Sequence, residues 1–149
     1  MLFSRLGLVA DNQFVTPDTQ RRAVHYLQYL VTGCHETLEQ HLILNKLLCG
    51  LALHEPVEIG IDISTAEKDI CHSLLNSVID YWEAIGSSSV DGCRGDWLIR
   101  DGSLTDAKDH WDLVVDRRAY DLLLARAPFS YSVIQLPWME KAIYVTWPT

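Results

Sequence analysis

The stretch that decides the helical half of the fold is Thr16–Gly33, which reads TPDTQRRAVHYLQYLVTG. It opens with a helix start, because Thr16 can cap the first turn and Pro17 needs no amide hydrogen there. Apolar side chains then recur at steps of three and four residues, and Gly33 suits a left-handed C-terminal cap. The stretch therefore predicts an amphipathic helix with an apolar stripe of Ala23, Val24, Leu27, Leu30 and Val31.

Two further helices are predicted on the C-terminal side of this stretch. One runs from about Glu36 to Cys49 and stops at Gly50, with leucines along one face. The other starts at a capping box, in which Ser64 and Glu67 satisfy each other's backbone amides, and Gly86 ends it. The apolar stripe of this last helix is Ile70, Leu74, Leu75, Val78 and Trp82. Residues 1–86 are therefore predicted to be mainly helical.

The pattern changes after the turn signal Asp101-Gly102, where the apolar period falls from 3.6 to 2. This period is typical of half-buried strands. The predicted strands are Trp111–Val115, Phe129–Leu136 and Ala142–Trp147, while Tyr120–Leu124 fits a helical turn or an extended segment. Helices followed by antiparallel strands predict an α+β fold, with N-terminal helices packed with a C-terminal antiparallel β-sheet. We expect one domain over residues 1–149, with residues 87–149 mixed with β-strands.

Composition excludes several classes of protein. The 149 residues carry 12 Lys and Arg against 20 Asp and Glu, a net charge of −8, and 48% of them are hydrophobic. This acidic balance argues against a nucleic-acid-binding protein, which needs a basic face to neutralise phosphates. No apolar run approaches the roughly 18 residues that span a bilayer. Neither a nucleic acid nor a membrane is therefore an expected partner.

The four cysteines are not spaced like metal ligands. Zinc sites usually place two ligands within about five residues of each other, whereas these cysteines stand 15, 22 and 22 residues apart. They are Cys34, Cys49, Cys71 and Cys93. We expect neither a disulfide nor a metal, and predict free thiols in a protein made in the reducing cytoplasm.

Catalytic motifs are absent from the sequence. It contains no GxGxxG, GxxxxGK[ST], HExxH or GxSxG, so we predict no catalytic residue and no cofactor. The only plausible polar cluster is His110, Asp112 and Arg117, since a histidine flanked by carboxylates could act as a base. A small-ligand-binding or hydrolytic α+β domain is therefore an alternative. Convergence of these residues in a closed pocket with a buried carboxylate would favour it.

Four stretches carry a resemblance to a known family. They are Leu6–Leu8 with Gln13-Phe14, then Arg22–Gly33, Leu44–Leu51 and Ser132–Met139, and the shorter segments Ser89–Arg94 and Asp116–Asp121 fit between them. In this order they resemble the C-terminal region of the tape measure proteins of phage-tail-like contractile injection systems. Family members of this kind are much longer. The chain is therefore expected to be a truncated form, a separately made C-terminal piece or a divergent short relative.

The resemblance implies a structural, non-enzymatic role. A tape measure protein lies along the lumen of the growing tail tube, and its length decides how many tube rings assemble. A domain of this size is too short to be the ruler, so the implied role is to anchor the ruler, at the baseplate hub. The implied partners are tail-tube and baseplate hub proteins, and the implied state is a three- or six-fold homo-oligomer within the particle. A domain that plugs the tube lumen is a further alternative.

The last familial motif, Leu136-Pro137-Trp138-Met139, is the predicted interaction site. Pro137 cannot donate a hydrogen bond to a neighbouring strand, so it ends the strand before it and leaves Trp138 at a stiff bend. A tryptophan there either closes the core or anchors a partner. We favour the core, because the strand predicted at Ala142–Trp147 folds back beside it and can supply a wall.

Overall fold

The computed structural model describes residues 2–34, 36–85, 89–118, 121 and 132–147, and its fold is α+β, as predicted. The chain divides into two compact units. The first unit comprises Met1–Leu75 and Pro137–Met139, and the second comprises Asn76–Leu136 and Glu140–Thr149. That residues 1–149 act as one domain stays a prediction.

The first unit consists of helices and one small hairpin. Its elements are α1 (Leu2–Arg5), β1 (Val9–Ala10), β2 (Gln13–Phe14), α2 (Pro17–Thr32), a 3₁₀ turn (Glu39–His41), α3 (Ile43–Leu48) and the first part of α4 (Thr65–Tyr81). The hairpin turn, Asp11 and Asn12, has positive φ angles of 51° and 64°. Asp and Asn tolerate this region better than most residues, and two successive positive φ angles suit the twist of a two-residue hairpin loop.

Helix α2 begins and ends where the sequence predicts. The Thr16 hydroxyl accepts a hydrogen bond from the Thr19 amide at 3.1 Å, and Gly33 adopts φ 76° and donates to the Tyr29 carbonyl at 2.7 Å. The predicted apolar stripe is only partly right, because Leu27, Leu30 and Val31 are half-buried. The residues that α2 buries are Ala23, Val24, His25, Tyr26 and Tyr29.

The two tyrosines of α2 can be buried because their hydroxyl groups find partners on α4. The Tyr26 hydroxyl donates to the Glu67 carboxylate, and the Tyr29 hydroxyl lies 3.0 Å from Nε2 of His72. A buried phenol ring contributes a large apolar area, provided that its polar end is satisfied. Apolar periodicity alone therefore found Ala23 and Val24 but missed His25, Tyr26 and Tyr29.

The helix predicted from Glu36 to Cys49 is wrong in its first half. Glu36 pairs with Gly60 in an isolated β-bridge, and the α-helix is confined to Ile43–Leu48. The physical reason is an ion pair: Lys46 is buried, and its Nζ lies 2.7 Å from the carboxylate of Glu39, whose side chain is 47% exposed. That carboxylate also accepts the Val57 amide at 3.2 Å, which holds the chain before α3 out of a regular helix.

Helix α4 confirms the predicted capping box. The Ser64 amide donates to the Glu67 carboxylate at 2.9 Å, and the Glu67 amide donates to the Ser64 hydroxyl at 3.2 Å. The helix ends at Tyr81, and Gly86 lies outside the described residues. Its most buried side chains, with Trp82 just beyond it, are Cys71, Leu75, Ile79 and Trp82, so Leu75 and Trp82 are buried as predicted.

The second unit contains a short helix, a π-helical turn and a four-stranded sheet. Its elements are α5 (Val90–Cys93), the π-helical turn (Arg94–Leu98), β3 (Gly102–Asp106), β4 (Trp111–Val115), β5 (Val133–Ile134) and β6 (Ile143–Thr146). The sheet order is β3-β4-β6-β5. The strands predicted at Trp111–Val115 and Ala142–Trp147 are confirmed as β4 and β6.

The sheet is mixed rather than antiparallel throughout, which corrects one detail of the predicted fold. Strand β6 pairs antiparallel with β5 but parallel with β4, with Leu113 opposite Val145. Because β5 occupies the edge and β6 inserts beside β4, the strands before and after β5 point the same way.

The remaining predicted segments of the second unit are only partly described. Within Phe129–Leu136 the strand β5 covers Val133–Ile134, and residues 129–131 lie outside the described residues. The strand therefore ends two residues earlier than the predicted stop at Leu136-Pro137. Tyr120–Leu124 also lies outside them, apart from Asp121.

Candidate functional site

Trp138 is built into an aromatic cluster of the first unit. Its ring centroid lies 4.9 Å from that of Phe14 and 5.7 Å from that of Phe3. Its indole Nε1–H donates to the Leu48 carbonyl at 2.7 Å. The last carbonyls of a helix lack partners within the helix, so the indole satisfies one at the end of α3. Trp138 is nevertheless only half-buried, which leaves part of it on the surface.

A glycine allows the chain at Trp138 to come this close to α3. Gly50 follows α3 with φ 74°, and a Cβ at this position would collide with the backbone carbonyl oxygen of Trp138. The Gln20 amide reinforces the approach by donating to the Cys49 carbonyl at 2.8 Å. Gly50, the predicted end of the helix, therefore also allows Trp138 to pack against the end of α3.

Gly50→Ala is expected to lower the free energy of unfolding by about 2–3 kcal/mol, because it adds a clash to the cost of a left-handed backbone. Gly7→Ala is the matched control: Gly7 has φ 73°, but a Cβ there would meet nothing within 4 Å. Gly7→Ala should therefore lower the free energy of unfolding only by the cost of a left-handed backbone, about 1–2 kcal/mol. Urea unfolding of both variants measures the difference, and equal losses would show that the close approach to Trp138 contributes nothing.

A surface pocket of about 530 Å³ lies beside Trp138, and we call it the Trp138 pocket. It is lined by Asp11–Pro17, Gln20, Pro137 and Trp138. Of the four residues of the predicted interaction site, Pro137 and Trp138 therefore line a pocket, Met139 is buried, and Leu136 belongs to the second unit. An aromatic face with neighbouring side-chain amides and one carboxylate suits contact with a protein side chain.

The structure brings together two of the three residues of the predicted polar cluster. His110 lies 2.8 Å from Asp109 through Nδ1 and 3.1 Å from Asp112 through Nε2, and its ring stacks on Tyr144. Arg117 is exposed and lies beyond the far end of the five-residue strand β4, roughly 20 Å along the chain at about 3.3 Å per residue. Both carboxylate side chains are at least half exposed. The cluster is thus an open surface network and has no buried carboxylate.

His110 is expected to titrate above its ordinary value, because the hydrogen bond to Asp109 raises its pKa, with a smaller contribution from Asp112. A raised folded-state pKa stabilises the fold below the unfolded value of about 6.5, and this stabilisation is lost as the pH rises through the folded value. NMR titration of the imidazole measures the shift. Asp109→Asn should lower the pKa of His110 more than Asp112→Asn does, and titration at or below the ordinary value would contradict the network.

A buried charge cluster, which sequence reasoning missed, lies in the second unit. Arg100 Nη2 is 2.5 Å from the Asp121 carboxylate, and their side chains are 4% and 8% exposed. The guanidinium carbon of Arg100 lies 5.3 Å from the ring centroid of Trp97 and 5.1 Å from that of Trp147. The hydrogen bond from Arg100 lowers the pKa of Asp121. The two side chains of this pair are almost entirely enclosed by protein.

Arg118 completes the same region by holding the π-helical turn. Its guanidinium donates to the carbonyls of Gly95 and Ile99, at 2.5 and 2.6 Å. The last carbonyls of a helical turn lack partners within the turn, and Arg118 supplies donors to two carbonyls here.

Three of the four cysteines are buried, namely Cys49, Cys71 and Cys93, and Cys34 is exposed. Burial raises the pKa of Cys49 and Cys93, which keeps these thiols protonated. In the described part of the chain no three His, Cys, Asp or Glu side chains are grouped so as to hold a metal ion. Nor does any described helix have the length and apolar character needed to cross a membrane.

Comparison with known proteins gives one result. No curated protein and no solved structure matches the chain. The model of one family, described as contractile injection system tape measure protein, matches residues 1–147, which is nearly the whole chain. The resemblance expected from the sequence motifs is thereby confirmed, and the chain belongs to the family of contractile injection system tape measure proteins.

Proposed function

We propose that this chain is a non-enzymatic assembly domain that anchors the ruler of a contractile injection system at the baseplate hub. The observation that carries the proposal is the family match over residues 1–147. The longest described helix, α4, has 17 residues and spans about 26 Å at 1.5 Å per residue, which is short for a ruler. A folded domain at one end of the ruler fits the role of an anchor better than that of the ruler itself.

The geometry of the polar side chains supports a role without catalysis. General acid–base chemistry needs a positioned group whose environment sets its pKa and from which water can be excluded. His110 instead sits among exposed carboxylates, with Arg117 at the other end of β4. We therefore propose no catalytic residue, no cofactor and no metal, and do not favour the hydrolytic alternative.

The proposed partners are tail-tube and baseplate hub proteins, with a three- or six-fold homo-oligomer as the assembled state. Exposed apolar side chains support protein contacts on the sheet of the second unit: Val133 and Tyr144 are direct neighbours across β5 and β6, and Val114 lies on the same face of β4. They are 51%, 47% and 43% exposed. We further propose that the chain is made in the cytoplasm and incorporated into the particle there.

We assign the hub contact to the Trp138 pocket, and Val15→Arg tests it. Val15 lines the pocket and is 57% exposed, so an arginine there should block the pocket without unfolding the domain. Ile59→Arg is the matched control, because Ile59 is 69% exposed and lies outside the pocket. Particles assembled with each variant are counted and measured by electron microscopy.

The anchor proposal expects Val15→Arg to reduce the number of particles severalfold and to weaken recovery of hub proteins in a pull-down, with Ile59→Arg unchanged. Normal particle number and length for Val15→Arg, at an unchanged melting temperature, would contradict it. Loss of tube-protein binding with normal hub binding would instead favour a plug in the tube lumen.

A further inference from the structure

The first unit has a second pocket, of about 370 Å³, which lies on one face of α2. This face carries Asp18, Arg21, Arg22 and His25, at the helical spacing that puts all four side chains on one side. A helix that buries one side usually turns such charged residues to the solvent. Here they line a cavity, which we call the Arg22 pocket, and its other lining residues are Pro56, Val57, Glu58 and Ile61.

Hydrogen bonds through Tyr26 hold the guanidinium of Arg22 in place. Its Nη2 donates to the Tyr26 hydroxyl at 2.9 Å, and this hydroxyl in turn donates to the Glu67 carboxylate. Tyr26 is completely buried, so this chain of two hydrogen bonds, which we call the Tyr26 relay, fixes one edge of the guanidinium. A guanidinium has five N–H donors in a rigid fork, which matches the two oxygens of a carboxylate. The other donors of Arg22 are free of hydrogen bonds to the described residues, so they can serve a ligand.

His25 is a buried side chain that also lines the pocket. It is 2% exposed, hydrogen-bonds to the backbone of Glu58, and has no partner for Nε2 among the described residues. A buried polar atom without a partner costs free energy, and such atoms are rare in native proteins. A ligand that reaches past Arg22 would give this nitrogen its partner.

We propose that the Arg22 pocket binds the carboxylate of a peptide. Arg22 holds the carboxylate oxygens, and Arg21, which pairs with Glu55 at 3.6 Å, adds a second positive charge. His25 takes up a proton from solvent and donates from Nε2. Asp18 and Glu58, both exposed, lie at the rim. Their charge disfavours a phosphate dianion, whereas they can accept the N–H groups of a peptide. The apolar wall of Pro56, Val57 and Ile61 receives the adjoining side chain.

This proposal does not rest on the anchoring role, because the Arg22 pocket and the Trp138 pocket share no residue. NMR titration of the complete chain tests it, with the ring signals of His25 as the readout. The probes are acetyl-leucine, which carries a free carboxylate, its uncharged amide, acetyl-glutamate amide and inorganic phosphate. Acetyl-leucine and acetyl-glutamate amide distinguish an α-carboxylate from an acidic side chain as the source.

Saturable shifts of His25 with either carboxylate probe, and none with acetyl-leucine amide, are expected. Affinity should rise as the pH falls from 7.5 to 6, because His25 is protonated on binding and is otherwise kept neutral by burial. Arg22→Gln should weaken binding by about tenfold to a hundredfold, as expected for lost hydrogen bonds to a charged group. Arg5→Gln removes an exposed charge elsewhere in the first unit and should change nothing.

Three results would overturn the proposal: equal binding of acetyl-leucine and its amide, tighter binding of phosphate, or shifts that never saturate. The comparison of acid with amide is made on the unaltered chain. It therefore decides the question even if Arg22→Gln disturbs the Tyr26 relay and the fold.

Discussion

Asp121→Ala is expected to lower the free energy of unfolding by about 3–5 kcal/mol, the usual result of removing one partner from a buried ion pair. The variant leaves the guanidinium of Arg100 enclosed between Trp97 and Trp147 without its counter-charge. It also removes the carboxylate oxygen that accepts the Arg118 amide at 2.8 Å. Arg100 then keeps the backbone carbonyls of Asp96 and Asp116 as acceptors but loses its counter-charge, and the half-buried Arg118 loses the acceptor of its amide.

Two companion variants make this result specific. Asp116→Ala removes an exposed carboxylate close in sequence and should change stability by no more than about 0.5 kcal/mol. The double variant Arg100→Met with Asp121→Leu replaces both charges with apolar groups and should recover much of the loss, because the cost comes from an unpaired buried charge. If Asp121→Ala costs no more than Asp116→Ala in urea unfolding, the pair does not stabilise the second unit.

The pH profile gives a second check on the same pair. Arg100 lowers the pKa of Asp121, so the stabilisation is present above the unfolded value of about 3.9 and is lost as the pH falls through the folded value. Wild type should therefore lose more stability on acidification than the Arg100→Met, Asp121→Leu variant.

Both ends of α2 and the start of α4 were predictable because they are determined locally. Thr16, Gly33, Ser64 and Glu67 act on backbone groups at most four residues away, so their chemistry is visible in a short window of sequence. Strand β3 was not predictable in this way. Gly102–Asp106 has one large apolar residue, Leu104, and it is a strand because β4 pairs with it.

The candidate site was predictable only in part, because most of its contacts join residues that are far apart in sequence. The bend at Pro137 follows from proline chemistry, but the partners of Trp138 lie far away in sequence, at Phe3, Phe14 and Leu48. No periodic signal in the sequence marks Arg100 and Asp121 as a buried pair, because their contacts with each other and with Trp97 and Trp147 depend on the fold. The one local sign of the Arg22 pocket was a charged stripe, from Asp18 to His25, on a helix with an apolar face.

Trp138→Ala should destabilise the first unit toward the lower end of the range of about 3–5 kcal/mol that is typical of emptying a large aromatic site, because Trp138 is only half-buried. The loss has two parts: the contacts with Phe3 and Phe14, and the hydrogen bond that satisfies the Leu48 carbonyl. Trp138→Phe separates them, since it keeps an aromatic ring but removes the N–H. It should cost about 1 kcal/mol for the hydrogen bond, plus a smaller packing loss.

Two measurements on each Trp138 variant then distinguish a core residue from a partner anchor. If Trp138 acts only in the core, Trp138→Ala should lower the melting temperature. The folded fraction of this variant should then still pull down tube and hub proteins as wild type does. An anchor predicts that binding falls even for Trp138→Phe, at a melting temperature close to that of wild type. The half-buried ring allows both roles together, because its inner face packs on Phe14 while the Trp138 pocket opens beside it. If neither melting temperature nor binding changes, the Leu136–Met139 motif is no more than a turn between β5 and β6.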